Sequence, residues 1–220
     1  MNVLVVCAHH DDLEVGCGGT VARLIDAGHA VTSLVMTHSG YQAPDGTPVR
    51  SKDAALLEAR RAADTLGYEL VSHDEDTFDI VENDANVCKI LTVIERRGID
   101  TVLTHWHGDP HPPHQRVHRM ALHASRHLPR AFGFAVNWYV SAVPFVPHLF
   151  VAISDAQWQR RLSALRCYEG EFQRTGERWV GYLDNQTRNY GTQIGVERAE
   201  AFTVYKHLWD IGEGSSDERE

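Results

Sequence analysis

Apolar and polar positions along this chain recur at two periods, one of strands and one of helices. Val3 to Ala8 is an unbroken apolar run, too short for a helix and rich in valine, the pattern of a central strand buried on both faces. From Gly18, GGTVARLIDAGHA sets Val21, Leu24 and Ile25 on one side of a helix that Gly28 stops. AVTSLVMT returns as a second strand and HSGYQAPDGTP follows as a loop. SKDAALLEARRAADTLGY predicts a long helix with Leu56, Leu57, Ala59, Ala63 and Leu66 as apolar positions and Gly67 as its end. Tyr68 to Val71 predicts a weak third strand, the acidic HDEDTFDIVEND an exposed loop, Ala85 to Arg97 a helix, and TVLTH from Thr101 a strand. This alternation predicts an α/β fold, a single Rossmann-like sheet that is mostly parallel, with helices on both faces. Farther on, Gln115 to His127 reads as helical, AFGFAVNWYV and HLFVAIS as extended, and DAQWQRRLSALRCYEGEF as an amphipathic helix. Residues 1–211 read as one domain and 212–220 as a polar, disordered tail.

Composition narrows the function. With 220 residues, 43% of them hydrophobic, the chain suffices for one substantial core. The formal charge of -9 leaves no basic face to neutralise a run of phosphates, which argues for small-molecule partners over nucleic acid. Cys7, Cys17, Cys88 and Cys167 show no paired spacing and no signal peptide precedes the first strand, so a reducing cytoplasm is expected. No apolar run reaches the ~18 residues of a membrane-spanning helix. Histidine stands out: there are 14, five of them between His105 and His118.

In an open α/β sheet, ligands bind beyond the carboxyl ends of the strands. HHDDLE leaves the first strand and HWHGDPHPPH leaves the strand at Thr101, so both face one crevice. Two imidazoles and a carboxylate are the donor set of a catalytic zinc that keeps one position open, and an adjacent free carboxylate could accept a proton from water. Competing readings exist for each cluster. Asp11 and Asp12 could cap the following helix, and His111 and His114 could be surface histidines in a loop stiffened by prolines. GCGGT does not match G-x-G-x-x-G, and Asp11, Asp12 and Glu14 would repel a pyrophosphate. His105 and His107 read as lining residues or bystanders. Asp109 is balanced between a site role and a turn, and His38 between lining the pocket and sitting in a loop. Trp138, Tyr139, Trp158 and Trp179 read as packing, with a sugar-stacking platform the lesser reading.

AHHDDLEVGCGGT resembles the A-H-P-D-D-x-E…G-C-G-G-T signature of the LmbE-like (PIG-L) zinc-dependent N-deacetylases, and DPHPPHQRV resembles their later H-P-D-H element. The likeness continues through the helix containing Glu58 and the late segment GVERAEAF. It implies that residues 1–211 form one such deacetylase domain. It further implies that His9, Asp12 and His114 are metal ligands, that Asp11 is the general base, and that His111 stabilises the oxyanion or protonates the leaving amine. Glu14 would support them. The implied cofactor is Zn2+, with Fe2+ also suited to two histidines and one carboxylate. The implied partner is a small N-acetylated substrate, an amino sugar or its glycoside, and oligomerisation is compatible with this. A metal- or sugar-binding relative with little activity, or a zinc amidase for a non-sugar amide, are the alternatives. Three departures stand in this sequence: His10 replaces the proline, Pro113 replaces the aspartate of H-P-D-H with Asp109 nearby, and Ala55 falls where relatives carry an arginine, with Arg50 or Lys52 within reach.

Overall fold

The computed structural model describes residues 1–136 and 141–208. Trp138, Tyr139, the end of the AFGFAVNWYV segment and the tail 212–220 lie outside the described residues. In chain order the elements are β1 (Asn2–Cys7), α1 (Asp12–Asp26), β2 (Ala30–Thr37), β3 (Tyr41–Gln42), β4 (Pro48–Arg50), α2 (Lys52–Leu66), β5 (Glu69–Glu75) and α3 (Asp84–Arg97). There follow β6 (Thr101–His105), α4 (Pro112–Ala124), β7 (Arg130–Phe134), β8 (Leu149–Ala152), α5 (Asp155–Leu165), α6 (Glu169–Thr175), α7 (Arg178–Ile194) and β9 (Ala199–His207). The main sheet runs β5-β2-β1-β6-β7-β9-β8. Its first five strands are parallel, and β9 and β8 are added antiparallel.

The apolar run of β1 is central because both its faces are covered. Val3, Val5 and Cys7 pack with Leu13 and Val21 of α1, Ala59 and Leu66 of α2 and Ala164 of α5. Leu4 and Val6 face the other way, toward Val87 and Ile90 of α3 and Val117 and Met120 of α4. Each fully buried aliphatic side chain of this kind contributes roughly 1.5–3 kcal/mol. A third cluster, including Trp158, Leu162, Trp179 and Leu183, joins α5 and α7 beside the antiparallel edge. The expected α/β sheet with helices on both faces is therefore present.

Several boundaries differ from expectation, each for a physical reason. The first helix begins at Asp12, not Gly18, and departs from helical φ/ψ at Cys17 (φ -153, ψ 21). The apolar period starts only after that kink, so the polar first turn left no signal. Glu200 of β9 accepts the N–H groups of Gly19 (2.8 Å) and Thr20 (2.6 Å), capping the helix that resumes beyond the kink. A Cβ on Gly19 would sit 2.7 Å from Ile153 Cδ1 and 2.9 Å from that carboxylate, and one on Gly16 would overlap the Phe134 ring. GCGGT thus serves close packing and joins the segment GVERAEAF to the first motif.

The helix expected from Gln115 begins at Pro112, with prolines in its first turn, where a missing N–H costs nothing. β5 runs on to Glu75 through alternating polar residues, as an edge strand can. The acidic segment is consequently not an exposed loop throughout: Thr77 is 4% and Ile80 1% exposed. The long amphipathic helix is broken after Leu165 into α5 and α6, with Tyr168 buried at the break. β3 pairs with β4 as a short antiparallel ribbon inside the loop expected after β2.

Candidate active site

β1 and β6 are parallel neighbours, with Val6 opposite Thr104, so the segments leaving them emerge side by side. His9 to Asp11 make the turn from β1 into α1, and Asp12 opens that helix. His111 is the residue before α4, and His114 lies in its first turn. The three donors converge: His9 Nδ1 is 3.0 Å from His114 Nε2 and 3.6 Å from Asp12 Oδ2, and His114 Nε2 is 3.2 Å from Asp12 Oδ1. Ligands of a tetrahedral ion at ~2.1 Å lie about 3.4 Å apart, close to these separations, though His9 and His114 approach different oxygens of Asp12. Among the described residues the groups whose donor atoms cluster tightly enough to hold one divalent cation are His9, His111 and His114, and Asp12, His105 and His114, with His114 common to both.

The outer nitrogens of both imidazoles are occupied, which leaves the inner ones for a metal. His9 Nε2 lies 3.3 Å from the Thr77 carbonyl, and His114 Nδ1 lies 3.1 Å from Asp109 Oδ2. Asp109 also accepts the His111 backbone N–H (2.9 Å), so it occupies the place beside His114 that Pro113 cannot fill. Burial disfavours charge on His114, but the carboxylates of Asp12 and Asp109 outweigh it and raise its pKa to about 10. Without a metal this imidazole holds a proton that a cation must displace. Burial likewise opposes ionisation of Asp12, yet His114, His105 and His9 hold its carboxyl well below the usual range.

Asp11 occupies the N-cap position of α1, but its side chain caps nothing and lines the pocket instead. Burial and the neighbouring charges of Asp12 and Glu171 raise its pKa to about 6. His111 also precedes a helix without capping it, and its ring centroid lies 4.7 Å from that of His114 and 5.1 Å from that of His9. Burial and those two imidazoles lower its pKa to about 4, so at neutral pH it is a neutral ring.

His10 belongs to neither group of converging donors; its Nε2 meets Ser72 Oγ on β5 at 2.9 Å, and burial lowers its pKa to about 3. Its backbone N–H donates to Ser39 Oγ (3.1 Å), and Ser39 holds a left-handed φ of 56° beside it. Glu14 is fully buried, accepts from Tyr68 Oη at 2.8 Å, and lies 3.1 Å from Tyr168 Oη. Burial raises its pKa to about 8, which makes it a neutral prop beneath the motif. Of the two candidates for the missing arginine, Arg50 lines the pocket, paired with Glu58 at 2.6 Å, while Lys52 is exposed against Asp74.

His105 has a closer place than the sequence suggested. It is fully buried at the end of β6, with Nε2 3.2 Å from Asp12 Oδ2 and its ring stacked on His114 at 4.0 Å and 8°. Asp12, His105 and His114 form one group of converging donor atoms, and His9, His111 and His114 the other; only the strand-end position in the sequence could have signalled the part of His105. His107 lies outside, its backbone N–H donating to Tyr205 Oη, and His38 braces a loop through the Gly40 N–H. Trp158 is buried beneath the guanidiniums of Arg161 and Arg198, as packing. Trp179 is buried too, but lines the pocket together with Val15 and Val136. The pocket holds about 300 Å³, and Tyr41, Phe78, Glu171 and Arg174 form walls that no sequence pattern announced.

Comparison with known proteins identifies the family and the fold. Residues 4–125, which contain both motifs, match the family model described as PIG-L: GlcNAc-PI de-N-acetylase. The chain belongs to the PIG-L (LmbE-like) family. It is 30% identical over 225 residues to the diacetylchitobiose deacetylase of Thermococcus kodakarensis, covering 90% of this chain and 80% of that protein. The N,N'-diacetylchitobiose deacetylase of Pyrococcus horikoshii has the same fold, with a TM-score of 0.80, 20% identity and coverage of 96% of this chain and 87% of that one. So does GalB, the 4-carboxy-2-hydroxymuconate hydratase of Pseudomonas putida KT2440, with a TM-score of 0.78, 20% identity and coverage of 97% and 99%. The PIG-L fold thus carries more than one reaction, and the site must decide which. Among the described residues no helix is long and apolar enough to cross a membrane.

Proposed function

We propose that this PIG-L family member is a metal-dependent N-deacetylase that hydrolyses the acetamide of an N-acetylated amino sugar or glycoside. One observation carries the reading: Asp11, free of any capping bond, lines the same pocket as His9, Asp12 and His114, whose donor atoms lie 3.0–3.6 Å apart pairwise. His9, Asp12 and His114 would hold the ion, Zn2+ by preference and Fe2+ as the other cation suited to these donors. When bound, it would supply Lewis acidity toward the acyl carbonyl and acidify a water molecule.

The remaining work falls to the chain. Asp11 takes the proton of the attacking water. The neutral His111 donates its N–H to the oxygen on which negative charge develops, an interaction stronger in the transition state than in the ground state. Because a neutral imidazole donates a hydrogen bond but is too weak an acid to protonate the amine, Asp11 returns the proton to the departing amine. Around the rest of the pocket, Arg50 and Arg174 are balanced by Glu58 and Glu171, as suits a neutral sugar better than an anion. Cysteines that are all free fit a cytoplasmic setting.

Metal-replete protein is to be assayed for free amine and acetate on N-acetyl sugars, their glycosides, sugar nucleotides and acyl amino acids. The account expects turnover of the sugars, loss on chelation and recovery with zinc. Zinc binding without acetate from any sugar would favour the binding-protein alternative, and turnover confined to acyl amino acids the amidase.

A further inference from the structure

The outer part of the pocket carries an aromatic feature that hydrolysis of an acetamide does not require. Phe78 lines the pocket, yet the residue is 52% exposed. The backbone that presents it is fixed from several directions. Asp76 Oδ1 accepts the N–H groups of Phe78 (2.9 Å) and Asp79 (3.0 Å), and Arg116 donates to the carbonyls of Phe78 (3.2 Å) and Ile80 (3.3 Å). Thr77 and Ile80 on either side are buried. The same anchored loop turns Ile80 inward and holds Phe78 out, against the pocket.

Tyr41 meets Phe78 edge-on, with centroids 5.9 Å apart at 73°, and is itself tethered through its hydroxyl to Glu171 Oε1 (3.1 Å). On the inner side Phe78 meets His111 edge-on at 6.3 Å. Donor atoms, His111 and Phe78 therefore follow one another outward from the floor. A substrate whose acetamide reaches Asp11 and His111 presents to Phe78 whatever is attached to its amino sugar.

Resting on the deacetylase reading, we propose that Phe78, braced by Tyr41, is a stacking subsite for a second ring on the substrate. The chemistry it recognises is a flat apolar ring face, supplied either by the C–H face of a linked pyranose or by an aryl aglycone. Phe78 is then a specificity-determining residue that favours glycosides over the simple amino sugar.

The test compares kcat/KM of the zinc-loaded protein on three N-acetylglucosamine derivatives: the methyl glycoside, the phenyl glycoside and a β-linked disaccharide. Stacking of this kind predicts that one or both ringed substrates exceed the methyl glycoside by about 3- to 10-fold. The preferred arm identifies the ring. Phe78→Ala should remove that ratio through KM, and Phe78→Trp should restore it. Equal kcat/KM for all three substrates, or an unchanged ratio in a Phe78→Ala protein of normal zinc content, would overturn the subsite. Acetate released from none of the three would instead overturn the deacetylase reading beneath it.

Discussion

The two ends of the pocket are built differently. At the inner end, donors come from two short segments that leave adjacent parallel strands, and each segment carries its residues within six positions, His9 to Asp12 and Asp109 to His114. At the outer end, Tyr41 comes from a short ribbon, Phe78 from the segment after β5, and Glu171 and Arg174 from α6. Metal chemistry needs several donors at fixed separations, and closely spaced residues at a strand end meet that need cheaply. Substrate contact needs only a wall, and distant segments can each supply a piece. The inner end should therefore fail outright when altered, whereas the outer end should adjust selectivity.

The largest effect is expected at the inner end. His114→Ala removes the ring nitrogen that lies between His9 Nδ1 (3.0 Å) and Asp12 Oδ1 (3.2 Å) and leaves Asp12 and Asp109 facing each other. Elemental analysis should find the variant without zinc and assays should find activity at background, while His107→Ala, altered outside the cluster, should keep both. Zinc retained by the His114 variant would take that residue out of the donor set.

A smaller effect tests what lies beneath the motif. The folded chain holds a proton on Glu14 up to about pH 8, against an ordinary value of 4.5. Its stabilising contribution is thus complete below pH 4.5 and is lost as pH rises through 8, at up to about 1.4 kcal/mol per pH unit between the two. Denaturant unfolding of metal-free protein at pH 5, 6.5 and 8 should show this decline, and Glu14→Gln should flatten it. Parallel curves for the two proteins would mean that Glu14 ionises normally.

The smallest effects belong to the outer end. Arg50→Ala strips a buried cation from the pocket wall and exposes Glu58 and Glu171 to one another, so KM for an amino-sugar substrate should rise about tenfold. Lys52→Ala breaks an exposed pair worth at most ~1 kcal/mol and should leave KM unchanged. The reverse ranking would identify Lys52 as the substrate contact.

The same contrast explains how far the sequence could be read. Its strands β1, β2 and β6 and helices α2 and α3 announced themselves through apolar period and glycine stops, and the spacing of HHDDLE and HPPH pointed to the inner cluster. The starts of α1 and α4 were displaced because Asp12 and the two prolines lie in first turns that carry no apolar stripe. β5 extends past the expected end at Val71 because an edge strand tolerates polar residues on both sides. Nothing in the spacing of His105 separates an imidazole stacked on His114 from one in a loop, as His107 is. Tyr41, Phe78 and Arg174 were invisible because only folding brings them together.

The central claim is that Asp11 moves protons beside an ion it does not hold, while Asp12 holds it. The most direct measurement is zinc content and turnover of Asp11→Asn and Asp12→Ala side by side. The account predicts about one equivalent of zinc in the Asp11 variant with kcat lowered ~100- to 10,000-fold, and neither zinc nor activity in the Asp12 variant. Wild-type turnover by Asp11→Asn, or zinc lost from it and kept by Asp12→Ala, would contradict it.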